Sequence, residues 1–311
     1  MTLTRILFPT DFSACADGAL AYATDLADRF GATLHLLHVV DELDPDWFGA
    51  TDAGTRAVDL RDDIEAKAKR RLHEVATGDL ADEVDTTVAL RSSVEVEQTI
   101  LDYAREENID LIAMGTHGRR GFDRLMLGSV TNTVLRQAPC PVLTVREGHE
   151  QGKEEGPMFQ NLLAPIDFSE ASHEALRVSD GLAGAYAARL RLLFVAEERT
   201  VPTFSDTGLP GLGVMKMDSE IVDNAGAALQ QLYDRLGGGA AECSYHVQEG
   251  PAAETIAAFA GSEEVDLIVM ATRGREGLDR FLVGTTTERV VRVAPCPVLT
   301  MRASGEGDED V

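Results

Sequence analysis

Apolar residues along this chain fall into short continuous runs that alternate with stretches of helical period. LTRILFPT (3–10) is a nearly unbroken apolar run, the pattern of a strand covered on both faces. The next segment places Ala19, Leu20, Ala23, Leu26, Ala27 and Phe30 at helical spacing, with Ser13 as candidate N-cap and Gly31 as the stop. TLHLLHVV (33–40) reads as the second strand, residues 60–77 as an amphipathic helix and DTTVAL (85–90) as the third strand. Residues 95–108 read as a helix, 109–115 as a strand, 129–138 as a helix and 141–146 as a last strand. Strands separated by helices imply a parallel sheet with right-handed crossovers. Five strands and four helices in ~145 residues predict an α/β, doubly wound, open parallel domain.

The pattern is written twice. ILFPTDFS (6–13) returns as LLAPIDFS (162–169), DLIAMGTHG (110–118) as DLIVMATRG (266–274) and APCPVLTV (138–145) as APCPVLTM (294–301), each offset by 156 residues. A constant offset of that size means duplication of a whole domain, and it excludes solenoid repeats of roughly 20 to 50 residues. The expected organisation is domain 1 at 1–147, a polar linker at 148–158, domain 2 at 159–303 and a disordered acidic tail at 304–311. The less regular stretches 41–56 and 197–214, one per copy, read as mobile loops or surface insertions.

Charge narrows the function classes. Asp and Glu number 53 against 28 Lys plus Arg, a net charge of −25, and only Lys67, Lys69, Lys153 and Lys216 are lysines. Such a surface repels nucleic acid and anionic lipid, so neither is expected as a partner. The same balance resembles that of halophilic proteins, whose repulsion is screened by concentrated salt. No apolar run reaches the length of a membrane span and the start of the chain does not read as a signal peptide, so a cytoplasmic location is expected. Cys15, Cys140, Cys243 and Cys296 form no metal-ligand spacing; Cys140 and Cys296 read as small buried residues. No metal site and no catalytic set is expected.

The candidate chemistry lies in GTHGRRGFDRLMLGS (115–129). In an open parallel sheet ligands bind beyond the carboxyl ends of the strands, and this segment leaves such an end and enters a helix. Gly115 lacks a Cβ and admits a close approach, Gly118 and Gly128 permit turns, and Ser129 stands where unpaired N–H groups favour an anion. The alternative is a long loop whose glycines serve turns and whose Ser129 caps a helix. The pattern recurs at Ala271, Gly274, Gly284 and Thr285.

Together PTDFS, HVV, GTHG-x9-GSVT and APCPVLTV resemble the universal stress protein family, twice over and across nearly the whole chain. Gly-x2-Gly-x9-Gly-Ser/Thr is similar to the ATP-binding branch of that family. The resemblance implies two tandem Rossmann-like (adenine nucleotide alpha hydrolase-like) domains and ATP or another adenine nucleotide as cofactor, with Mg²⁺ bridging the phosphates. It places adenine and ribose near Pro9, Thr10, Asp11 and Val39, and phosphates against Gly115, Gly118, Gly128, Ser129, Val130 and Thr131. Met114 would contact the base or fill the core, and Arg119 ranks before Arg120 and Arg124 as a phosphate cation. In copy 2 the equivalents are Pro165, Ile166, Asp167, Val195, Met270, Ala271, Gly274, Gly284, Thr285 and Thr286. A methyl group at Ala271 would hinder the ribose–phosphate path, or cost little if the position is ordinary strand; both copies are expected to bind ATP, copy 2 more weakly. The resemblance also implies an internal pseudo-dimer through PVLTVR and PVLTMR, with pairing of two chains left open.

A nucleotide-binding regulatory stress protein is the leading expectation. A slow ATP hydrolase or phosphotransferase is second, since no G-x-x-x-x-G-K-[ST] loop is present and His117 is replaced by Arg273 in copy 2. A ligand-free scaffold ranks last, because the glycine motif of copy 1 is intact.

Overall fold

The computed structural model describes residues 2–42, 56–78, 84–116, 127–148, 158–197, 199–204, 210–215, 219–240, 242–272 and 284–302. The chain divides into two compact units, 2–154 and 155–311. Repeat 1 runs β1 (Arg5–Pro9), α1 (Ala14–Phe30), β2 (Thr33–Asp41), α2 (Arg56–Thr77), β3 (Thr86–Ser93), α3 (Val96–Glu106), β4 (Leu111–Gly115), α4 (Ser129–Gln137) and β5 (Val142–Val145). Its five strands are parallel in the order β3-β2-β1-β4-β5. Repeat 2 runs β6 (Asn161–Pro165), α5 (Glu170–Tyr186), β7 (Arg189–Ala196), β8 (Arg199–Phe204), β9 (Pro210–Met215), α6 (Ser219–Leu236), β10 (Glu242–Glu249), α7 (Ala252–Ser262), β11 (Leu267–Ala271), α8 (Thr285–Val293) and β12 (Val298–Met301). Its parallel order, β10-β7-β6-β11-β12, repeats the first.

Burial explains why the apolar runs became strands. Ile6, Leu7 and Phe8 of β1, Leu34, Leu36 and Leu37 of β2, and Leu111, Ile112 and Ala113 of β4 are almost wholly inaccessible, as helices on both faces require. One expectation is corrected. Of the two alternatives for 197–214, a mobile loop or a surface insertion, the loop is ruled out, because β8 and β9 pair antiparallel from Arg199 opposite Met215 to Phe204 opposite Pro210. Its prolines and glycines concealed the strand pattern.

The ends of α1 and α5 follow the capping rules, with one informative exception. The Ser13 hydroxyl accepts from Ala16 N, and Gly31 ends α1 in the left-handed conformation at φ 64°. In repeat 2 Ser169 caps α5 in the same way, but Ala187 holds the left-handed end at φ 52°. A Cβ there is strained, so Ala187→Gly is expected to stabilise repeat 2 by about 1 kcal/mol in denaturant unfolding, and Gly31→Ala to weaken repeat 1 by a similar amount.

Candidate functional site

The sheet order reverses between β1 and β4, which send their connections to opposite sides, so the crevice beyond their carboxyl ends is the topological switch point. On the β1 side the chain turns sharply through Phe12, held at φ 60°. Three local bonds over-determine this turn: Thr10 Oγ1 accepts from Phe12 N (2.9 Å), Asp11 Oδ1 accepts from Ser13 N (3.0 Å), and Ser13 caps α1. His38 from β2 hydrogen-bonds through Nδ1 to Thr10 O at 2.7 Å. A carbonyl only accepts, so Nδ1 carries the proton. The His38 ring lies 4.6 Å from that of Phe12, and the Arg71 guanidinium sits 4.8 Å above the same ring. In repeat 2 Phe168 adopts the same φ of 60°, and Asp167 Oδ1 accepts from both Ser169 N and Ser169 Oγ.

On the β4 side two hydrogen bonds clasp the start of α4 to the end of the strand. Gly128 N donates to Thr116 O at 2.9 Å and Thr131 Oγ1 donates to Gly115 O at 2.9 Å. Repeat 2 reproduces both: Gly284 N to Thr272 O and Thr287 Oγ1 to Ala271 O. The N-cap of α4 is Gly128 and that of α8 is Gly284, and neither offers a side chain to the first turn. In α4 the helical ladder begins with Asn132 N donating to Gly128 O, so the N–H groups of Ser129, Val130 and Thr131 precede it. These donors, with the positive end of the helix dipole, fit an anion.

A family model described as Universal stress protein family matches residues 2–146 and again 158–302. The chain belongs to the universal stress protein family. A universal stress protein of Mycolicibacterium smegmatis is 26% identical over 306 residues, covering 96% of each chain. One from Methanocaldococcus jannaschii is 32% identical over 146 residues, 47% of this chain and 83% of that protein. Among solved structures, a universal stress protein from Archaeoglobus fulgidus covers 96% of this chain and 98% of its own at a TM-score of 0.71 and 22% identity, a likeness of fold.

Within each universal stress protein domain the geometry revises several expected roles. A methyl group on Gly115 would stand 2.8 Å from Cys15 Sγ, 2.9 Å from Cys15 O and 3.0 Å from Cys15 C. The missing Cβ therefore points at α1 and not toward the ligand path, and φ at Gly115 is not positive. Repeat 2 makes a matched exchange: Ala171 replaces Cys15 and Ala271 replaces Gly115, and the two alanines share a buried cluster with Ala175 and Met301. The expectation that the Ala271 methyl obstructs ribose and phosphate is thereby corrected. Gly128 sits at φ −59°, open to any residue, so no turn demands glycine there. In repeat 2 Gly284 answers to proximity, since an added Cβ would lie 3.2 Å from Thr272 O. Ser129 is exposed and is the first helical residue, not the cap. Thr131 has its hydroxyl proton committed to Gly115 O, which leaves its backbone N–H as the donor for an anionic ligand.

The structure brings Pro9, Thr10, Asp11, Gly115, Gly128, Ser129, Val130 and Thr131 to this one end of the sheet, with Pro165, Ile166, Asp167, Ala271, Gly284, Thr285 and Thr286 at the corresponding positions of repeat 2. Val39 and Val195 lie near the ends of β2 and β7, and Met114 and Met270 are buried, 5% and 6% exposed, as core side chains are. Gly118, Arg119, Arg120, Arg124 and Gly274, with His117, Asp123 and Arg273, lie outside the described residues. Thr116, Thr272, Thr287, His38 and Arg71 were not singled out from sequence. The recurrence of Gly/Ala-Thr at 115–116 and 271–272, and of threonine at 131 and 287, was the available signal for the clasp.

Strongly shifted ionisations gather at the opposite end of the sheet. Burial favours the neutral Asp110 acid, but the Thr4 hydroxyl and the Thr4 and Arg5 N–H groups outweigh it and hold the carboxyl below its usual range. At the same place in repeat 2, burial pushes Asp266 up to about 6 against its bonds from Gln160 and Asn161 N–H. Burial also pushes the nearby Cys140 and Cys296 thiols up to about 12, in keeping with inert packed side chains.

Proposed function

We propose that this universal stress protein binds adenine nucleotide at the switch point of its repeats and acts as a nucleotide-dependent regulatory protein. The observation that carries the reading is the clasped, side-chain-free helix start, which presents the N–H groups of Ser129, Val130 and Thr131 beside the β1 turn. Phosphate would lie on those N–H groups and on the Ser129 hydroxyl. The base and ribose would lie toward Pro9, Thr10, Asp11 and Val39, and a bound Mg²⁺ would neutralise part of the phosphate charge. Gly284, Thr285 and Thr286 would offer the corresponding surface in repeat 2. Binding without efficient turnover is the expected behaviour, and a slow hydrolase is the outcome that measured phosphate release would reveal. The reading assumes a cytoplasmic setting, in which the four free cysteines remain thiols. Among the described residues no helix is long and apolar enough to cross a membrane.

The first test is direct. Protein purified without added nucleotide is denatured and the released nucleotide is quantified per chain, with ATP and Mg²⁺ titrated into the emptied protein. One to two adenine nucleotides per chain support the reading, and no binding by either route overturns it. Ser129→Glu supplies the control. An acidic side chain in the first turn favours the helix but occupies the positive end that a phosphate would use. It is expected to leave thermal stability intact and to weaken ATP binding at repeat 1 by about tenfold or more.

A further inference from the structure

Away from the crevice, the layer between sheet and helix is built differently in the two repeats. In repeat 1 His35 of β2 and Tyr103 of α3 are both buried, 5% and 3% exposed. His35 Nδ1 lies 2.9 Å from the Tyr103 hydroxyl, with the rings edge to face. At the same positions repeat 2 carries Arg191 and Phe259. The Arg191 side chain, 13% exposed, donates to Asn161 Oδ1 at 3.1 Å and faces Glu263 at 3.4 Å, so its charge is permanent and compensated. The strand–helix contact of repeat 1 thus contains a group that can gain a charge, and that of repeat 2 a group that cannot change its own.

The surroundings of His35 disfavour a proton. Arg5 on β1 is a cation, and the Arg91 guanidinium on β3 lies 5.5 Å from the far partner, the Tyr103 ring; Glu107 at the end of α3 is the opposing carboxylate. Burial is the largest influence and holds the imidazole below its usual range, with Glu107 opposing the shift and Arg5 adding to it.

We propose that the His35–Tyr103 pair is an acid-released latch between β2 and α3 of repeat 1, and that the Arg191 layer leaves repeat 2 without one. When α3 opens, His35 takes a proton at its ordinary value of about 6.5, which the closed state resists. Closure therefore weakens as pH falls below about 6.5. Asp110 has the same sign, but its carboxyl is held low and acts only at more acidic pH. In repeat 2, burial holds His246 of β10 low with Glu263 opposing and Arg191 adding, yet this ring is less buried than His35 and bonds Ser244 Oγ at 2.9 Å. Asp266, pushed up to about 6, works the other way and favours closure as pH falls. Because α3 also packs against α4, release of the latch removes support from the helix that opens the candidate site. The latch itself does not depend on the nucleotide reading.

Amide protection of α3, corrected for the intrinsic pH dependence of exchange, is read in the full chain between pH 7 and 5, with the His35 ring followed by NMR. The expected result is about threefold or greater loss of protection in α3, no such loss in α7, and a His35 ring that stays neutral below pH 6.5. His35→Asn, whose amide can meet the Tyr103 hydroxyl but cannot titrate, should make α3 protection independent of pH over this range. Tyr103→Phe, which introduces the residue found in repeat 2, should lower α3 protection at every pH and keep its slope. An unchanged slope in His35→Asn, or a His35 ring that titrates at or above 6.5 in the wild type, overturns the latch. A parallel loss in α7 overturns the difference between the repeats. Should His35→Asn fail to fold, the wild-type ring titration and the Tyr103→Phe slope decide the outcome.

Discussion

Asp266→Asn is expected to flatten the pH dependence of repeat 2 and to stabilise it at neutral pH. Burial pushes the native carboxyl up to about 6, above the 3.8 of an unperturbed aspartate, so between those values the folded state binds the extra proton. Stability from this group is full below about pH 4 and is lost as pH rises through about 6, a loss on the order of 3 kcal/mol. The cause is burial: Asp266 is 8% exposed, and its hydrogen bonds from Gln160 N and Asn161 N do not offset the loss of water. An asparagine oxygen can keep those bonds without carrying a charge. The difference in unfolding free energy between wild type and variant, followed by hydrogen exchange of the β11 amides from pH 4 to 7, should grow with pH and level off above about 6. Asp110 has the opposite sign. Its carboxyl is held low, so it contributes stability above the usual carboxylate range and loses it as pH falls. A difference curve that is flat for Asp266→Asn would show that the carboxylate is solvated in the native protein.

Gly115→Ala is the second large effect, and it should appear as lost stability. The new methyl group meets not only the movable Cys15 thiol but the Cys15 carbonyl, at 2.9 Å, so α1 itself must shift. Overpacking of this kind costs about 1–3 kcal/mol. Cys15→Ala in the same chain should recover part of the loss, because Ala171 and Ala271 show that an alanine pair packs at this junction. In repeat 2, Ala271→Gly should cost about 1 kcal/mol through lost packing and backbone entropy, with no gain in nucleotide affinity. Denaturant unfolding and ATP titration on the same four proteins separate the two quantities. A tenfold rise in affinity on Ala271→Gly would return the methyl group to the ligand path.

Much of the architecture was legible because its signals are local. Runs such as Leu34 to Leu37 are buried from both sides and need no partner information to read as strand, and Ser13 and Gly31 announce the ends of α1. The exact 156-residue offset carried the duplication. What was misread depends on atoms far away in sequence. Whether the bare side of Gly115 faces a ligand or a helix is decided by Cys15, and only the packed structure brings the two together. Thr131 looks like a ligand donor in sequence, yet its hydroxyl is spent on a carbonyl 16 residues back. Phe12 at positive φ has no local signal at all, since an aromatic residue is not expected there. Asp110 and Asp266 are the same residue in the same register, and they shift in opposite directions: Asp266 is buried more deeply than its backbone N–H bonds and the Arg191 charge can offset, whereas Asp110 also has the Thr4 hydroxyl.

The bond from Gly128 N to Thr116 O has a consequence for how such a protein can change over time. It fastens together the two ends of the intervening segment, so the spacing that the sheet and α4 experience is set by the fastening and not by what lies between. Lengthening a segment whose ends are already joined costs only a slowly growing closure entropy. A change of chain length beyond Thr116 is therefore expected to leave the strand, the helix and the fastening in place. Duplication supplied this chain with the same fastening twice, since Gly284 N donates to Thr272 O in repeat 2, so each repeat can vary in length there independently of the other.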